Sequence, residues 1–298
     1  MLKNFFLSLS TQPALRRWME TSPRARLLSR RFIAGNRLED GLAVVRELAG
    51  RGMLAALDPL GENVTTEAEA AAAAANALRT LRGVVEAKAG ATISIKLTQF
   101  GLDLSPELTL ANVAPLVDLA KANGTRVEID MESTRYTQRT IDMLRILGAQ
   151  GPVRGVIQAY LYRTAEDIRQ LNERRIPVRL CKGAYNEPPE LAMPRKADVD
   201  ANYRKMAELL LEKGTAPAFA THDPAMIDHI LSLRPARDQV EFQMLYGIRR
   251  DLQERLAAEG WSVRLYVPYG EAWYPYFMRR LAERPANVWF VTRSLFQA

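Results

Sequence analysis

The chain has 298 residues, 48% hydrophobic and 25% charged, with 41 Lys and Arg against 34 Asp and Glu and a net charge of +7. That balance belongs to a globular chain able to bury a large core. The lone Cys181 excludes an internal disulfide and fits a reducing compartment. Two histidines, His222 and His229, argue against a His-rich metal site, and no apolar stretch nears the ~20 residues that cross a bilayer.

The first 31 residues carry Lys3, Arg16, Arg17, Arg24, Arg26, Arg30 and Arg31 against a single acid, Glu20. Their apolar run at 5–9 is too short for a secretory signal, so the segment reads as a basic amphipathic helix. It would pack on the domain or touch a membrane surface. The reading is a single domain over 1–298, with N-terminal helices over 1–50 and the main fold over 51–298. It is cytoplasmic, with peripheral contact at the inner face of the cell membrane. Elsewhere arginines are interleaved with acids, a pattern that argues against nucleic acid.

Eight short apolar runs then follow, at 53–58, 92–96, 126–130, 153–158, 178–182, 218–222, 240–245 and 263–266. Nearly all end in a polar or charged residue. Helical periodicity fills the gaps, over 67–88, 106–123, 134–147, 165–174, 198–213, 224–233, 248–259 and 271–284. Eight strand–helix units predict an α/β fold, a distorted (βα)8 barrel with extra N-terminal helices; its chemistry belongs at the C-terminal strand ends. An open doubly wound sheet is the alternative.

Strand parity adds a second expectation. Ile93 and Ile95 oppose Thr92, Ser94 and Lys96; Val127 and Ile129 oppose Glu128 and Asp130. Glu241 and Gln243 oppose Phe242 and Met244, and Val263 and Leu265 oppose Arg264 and Tyr266. In a barrel the apolar set meets the helices, so the polar set must point inward. A polar interior needs partners to offset desolvation.

Gly50-Arg-Gly52-Met-Leu-Ala55 matches a dinucleotide fingerprint but precedes a strand instead of following one, and is rejected. In the last unit, helical spacing puts Tyr276, Arg279, Arg280 and Glu283 on one side. Two guanidinium forks near the rim suit capture of a carboxylate, against the plainer reading of a solvated face. The run Val178-Arg179-Leu-Cys181-Lys182-Gly183-Ala184-Tyr185 has two readings. Its cations contact a phosphate or an electron-rich cofactor ring, or Arg179 makes an internal ion pair with Asp130 or Glu128.

These two segments, with Leu60-Gly-Glu62, Ser94-Ile-Lys96-Leu-Thr, Thr221-His222 and Glu241-Phe-Gln-Met-Leu245-Tyr-Gly, resemble the proline dehydrogenase family from about Met53 to the C-terminus. Cys181 stands where valine is common, and Asp223 where asparagine often follows Thr-His. The resemblance implies a distorted (βα)8 barrel with noncovalent FAD. The implied reaction oxidises L-proline to Δ1-pyrroline-5-carboxylate by hydride transfer to flavin N5. It also implies a membrane quinone as electron acceptor and a separate pyrroline-5-carboxylate dehydrogenase that takes the product.

Carried over by motif, Lys96, Arg279 and Arg280 hold the proline carboxylate, and Leu245 and Tyr266 pack against its ring. Asp130 orients the cations of the site. Gln158, Arg179, Lys182, Gly183, Ala184, Tyr185, Thr221, His222 and Glu283 are implied cofactor contacts. Glu62 is a candidate gate that pairs with Arg279 until substrate arrives. Two rival readings remain at this stage: an aldolase with Lys96 as Schiff-base nucleophile, and a non-catalytic binding barrel.

Overall fold

The computed structural model describes residues 30–61, 64–274 and 276–278, together with Gln12 and Arg17. Helix α1 (Leu38–Gly50) leads into β1 (Leu54–Pro59) and α2 (Glu67–Ala87). There follow β2 (Thr92–Ile95), a 3-10 turn (Leu97–Phe100), α3 (Pro106–Ala122), β3 (Val127–Ile129), α4 (Thr134–Gln150) and β4 (Val153–Gln158). The second half runs α5 (Thr164–Glu173), β5 (Val178–Cys181), α6 (Lys196–Lys213), β6 (Ala218–Ala220), α7 (Pro224–Ser232), β7 (Glu241–Leu245), α8 (Arg250–Ala258) and β8 (Ser262–Tyr269). All neighbours pair in parallel, and β1 joins β8 to close the barrel.

Local chemistry starts the helices where the strands require it. Thr66 and Glu69 form a reciprocal capping box at α2. Ser105 caps α3 ahead of Pro106, and Asp223 caps α7 ahead of Pro224. Ala70, Ala77, Leu81 and Val84 recur on one side of α2 and are buried. Ala77, Leu81 and Val84 belong, with Ile93, Ile95, Val127, Ile129, Leu180, Phe242 and Leu265, to one core between the strands and the helices. The apolar parity set therefore faces outward, as expected.

Several boundaries differ from the sequence reading. Strand β8 runs through Pro268 to Tyr269, because pairing with β1 carries the ladder past a residue that lacks an N–H. Helix α8 begins at Arg250, not 248. Gly247 turns the chain at φ +76°, and a Cβ there would lie 1.7 Å from the Arg31 carbonyl. Lys96, Asp130, Lys182 and His222 fall just beyond their ladders, in the turns that form the C-terminal mouth. The rejected glycine fingerprint spans the end of α1 and the start of β1, where no helix can open.

Candidate active site

The inward parity set builds two layers of charge. In the upper layer Lys96, just past β2, lies 3.2 Å from an Asp58 oxygen, 3.5 Å from Asp130 and 3.2 Å from the Tyr266 hydroxyl. The Tyr266 hydroxyl is also 2.7 Å from Asp58 and 2.8 Å from Asp130. Complete burial raises the pKa of Asp58, with Asp130 adding to the rise, against the pull of Lys96. Asp130 goes the other way. Burial alone would raise it, but Arg179 and Lys96 outweigh burial and bring it down.

Arg179, from β5, joins the layers. Its Nη2 donates to Asp130 and, at 3.4 Å, to Ser94; its Nη1 donates to Glu128 at 3.1 Å and to Gln243 at 2.9 Å. Its guanidinium carbon sits 5.6 Å from the centre of the Tyr266 ring. In the lower layer Glu128 is shared with Arg154 at 3.3 Å and Arg264 at 3.8 Å, and Glu241 pairs with the same two arginines. The internal ion-pair reading of Arg179 is thus present with both acids.

Two carboxylates also decide the chemistry open to Lys96. Burial lowers the pKa of its amine, yet Asp58 and Asp130 overcome burial and raise it. A Schiff-base nucleophile needs the opposite. Lys96 is held as a cation that donates hydrogen bonds, which disfavours the aldolase reading.

The other residues expected from the sequence line the same mouth. Gln158 is buried and donates to the Glu132 carbonyl at 2.9 Å, leaving its amide oxygen as an acceptor. His222 Nε2 accepts the Leu245 N–H at 2.9 Å, which puts the proton of the neutral ring on Nδ1. Thr221 is buried beside it, its hydroxyl accepting the Asp223 N–H. Leu245 and Tyr266 pack with Leu60 against Trp273, Tyr274 and Phe277, forming an apolar wall. Lys182 is paired with Asp200 and, at 2.6 Å, with Asp223. The departure from asparagine at 223 therefore supplies a second carboxylate to this lysine. Gly183 has φ +112°, and a Cβ would meet the Tyr160 ring at 2.2 Å. Its freedom is needed for the close approach of Tyr160. Tyr185, beyond Ala184, is exposed. Glu62, Arg279, Arg280 and Glu283 lie outside the described residues.

The sequence reading passed over Asp58, although this residue closes the first apolar run as Asp130 closes the third. It also passed over Glu132, which accepts from the Thr98 N–H at 3.2 Å and hydroxyl at 2.7 Å and ties the turn after Lys96 to the end of β3. Its only signal was its place two residues beyond Asp130.

Burial pushes the Cys181 thiol up to about 11, with Arg179 pulling against it. At pH 8 that leaves roughly one thiol in a thousand as thiolate. The folded protein is expected to resist iodoacetamide at pH 8 and to react once unfolded in guanidinium. Alkylation of the folded form at the unfolded rate would contradict the burial argument.

A family model described as proline dehydrogenase matches residues 42–293. The chain belongs to the proline dehydrogenase family. It is 39% identical over 302 residues to proline dehydrogenase 1 of Bacillus subtilis (strain 168), covering 100% of both chains. It is 39% identical over 281 residues to the proline dehydrogenase of Deinococcus radiodurans, covering 91% of this chain and 90% of that one. Among solved structures, proline utilization A from Bdellovibrio bacteriovorus, inactivated by N-propargylglycine, superposes with a TM-score of 0.79 at 26% identity. That match covers 87% of this chain and 33% of the other, so the present chain spans about a third of that longer protein. Among the described residues no helix is long and apolar enough to cross a membrane, and no His, Cys, Asp and Glu group could hold a metal ion.

Proposed function

We propose that this family member oxidises L-proline to Δ1-pyrroline-5-carboxylate with noncovalent FAD and passes the electrons to a membrane quinone. The observation that carries the reading is the Lys96–Tyr266–Asp130–Arg179 network beside the apolar wall that Leu245 and Tyr266 join. It joins a fixed cation and an apolar wall at a single mouth, which suits a small ring bearing a carboxylate.

The residues present fit a flavin. Gln158 offers a buried acceptor for an imide N–H, and Arg179 offers its guanidinium charge on the neighbouring strand. Thr221, His222 and the 182–185 turn border the same mouth, with Glu283 added by the family motif. When bound, the flavin supplies the acceptor for the hydride that leaves C5 of proline. The chain's residues do the rest. Lys96 binds the substrate carboxylate, joined by Arg279 and Arg280, and Asp130 and Asp58 hold the Lys96 amine in place. Tyr266 and Leu245 pack against the ring and exclude water. Arg179 brings positive charge to where reduction accumulates negative charge.

Glu62 acts as a gate that holds Arg279 until the carboxylate arrives. The basic N-terminal segment places the enzyme against the inner face of the cell membrane, near its quinone. A separate pyrroline-5-carboxylate dehydrogenase takes the product. A visible spectrum before and after anaerobic L-proline tests the reading. We expect a flavin band that bleaches on addition; a colourless protein, or a band that proline leaves unchanged, would overturn it.

A further inference from the structure

At the end of the barrel opposite the candidate active site, a cavity of about 460 Å³ opens among the residues that lead into β3, β4, β5 and β6. Arg126, Val153, Arg175 and Ala216 line it, with Gly124 and Gly151 at the ends of α3 and α4. We propose that this vestibule binds a small multivalent oxyanion, a phosphate or a di- or tricarboxylate.

Three observations point there. First, Arg126 is largely withdrawn from water yet makes no hydrogen bond or ion pair with any described residue. Guanidinium groups are seldom desolvated without a counter-charge. Arg154 and Arg264 repel it from below, and only Glu128 and Glu241 offset them. Second, positive charge is in excess at this end. Arg126, Arg154 and Arg264 gather around Glu128 and Glu241, Glu128 is already shared with Arg179, and the exposed Arg175 lines the cavity rim. Arg154 gives Nη2 to the Ala216 carbonyl at 3.3 Å, which puts its guanidinium against the cavity wall, and its buried Nε has no partner.

Third, the helix ends that converge here are already capped. Lys121 takes the Gln150 carbonyl, Asn123 takes that of Leu119, and the Thr125 and Gly151 N–H groups take those of Ala120 and Leu147. Neither Arg126 nor Arg175 is committed to a carbonyl. Both forks are left for bidentate contact with an oxyanion.

The test uses the full-length, flavin-loaded protein with citrate and with inorganic phosphate as separate probes, by calorimetric titration at ionic strength balanced with NaCl. We expect saturable binding at one site, weakened at least about tenfold by Arg126→Gln and by Arg175→Asn, and kept in Lys96→Met. The asparagine suits position 175, whose φ is +55°. Arg175 is exposed, so its variant carries the test even where Arg126→Gln fails to fold. Citrate binding without phosphate binding assigns a polycarboxylate site, and the reverse assigns a phosphate site. Binding that survives Arg126→Gln or Arg175→Asn, is lost in Lys96→Met, or only tracks ionic strength would overturn the proposal.

Discussion

Asp58→Ala is expected to lower kcat/KM for L-proline by roughly a hundredfold, the size of effect seen when one preorganised group is removed from a reacting centre. Asp58 has no exposed surface, and its oxygens meet both the Lys96 amine and the Tyr266 hydroxyl. Without it, Lys96 keeps only the Tyr266 hydroxyl and one carboxylate, Asp130, which is already committed to Arg179 and Ser94. Tyr266 then loses one of the two carboxyl groups that hold its ring against Leu245.

Asp58→Asn separates the two roles of this residue. If Asp58 is protonated in the folded enzyme, an amide copies its hydrogen bonding, and activity should stay within about fivefold of the parent. A hundredfold loss in the asparagine variant would show that the negative charge itself is needed. The linkage has a definite sign. A pKa raised by folding means that the native state binds this proton more tightly than the unfolded chain. Asp58 therefore favours folding below the usual carboxylate range, and that contribution is lost as pH rises through its raised value.

The second large effect is on stability. Glu128→Ala should reduce the free energy of unfolding by about 3–5 kcal/mol, the usual result of deleting one member of a buried ion network. Glu128 has no exposed surface and bonds to Arg154, Arg179, Gln243 and Thr92. Its loss would leave Arg154, Arg179 and Arg264 to share Asp130 and Glu241. Guanidinium unfolding would show a lower midpoint at an unchanged slope; an unchanged midpoint would mean that water enters and screens the arginines.

The pH dependence of this residue is opposite to that of Asp58. Burial alone would raise the Glu128 carboxyl, but Arg154, Arg179 and Arg264 outweigh burial and hold it below its ordinary value. Its contribution is present above the unfolded carboxylate range and is lost as pH falls through the depressed value. The gap between parent and variant should narrow in acid.

Much of this was legible in the chain. Strand parity placed Ser94, Lys96, Glu128, Gln243, Arg264 and Tyr266 on one face, and all of them point into the barrel. The order of eight apolar runs alternating with helical stretches favoured a parallel barrel over an open sheet, and the β1–β8 pairing closes it. Motifs scattered from Leu60 to Glu283 named the family. Asp58 was less legible, because one acid at the end of an apolar run looks the same whether it faces water or a buried lysine. The extension of β8 through Pro268 was hidden too, since local rules end a strand at proline and only the β1 ladder carries it on.

What the sequence by itself determined was periodicity and residue type: which positions are apolar at spacing 2 or 3.6, where a cap or a glycine sits, and which charges close each strand. Only the tertiary structure decided which charges meet. Barrel closure brings β8 against β1 and β5 within reach of β3, so Tyr266 reaches Asp58 and Arg179 is divided between Glu128 and Asp130. Those pairs are more than forty residues apart in the chain. Their protonation states follow from shared burial and mutual charge, which are properties of an assembled interior and of no single stretch of sequence.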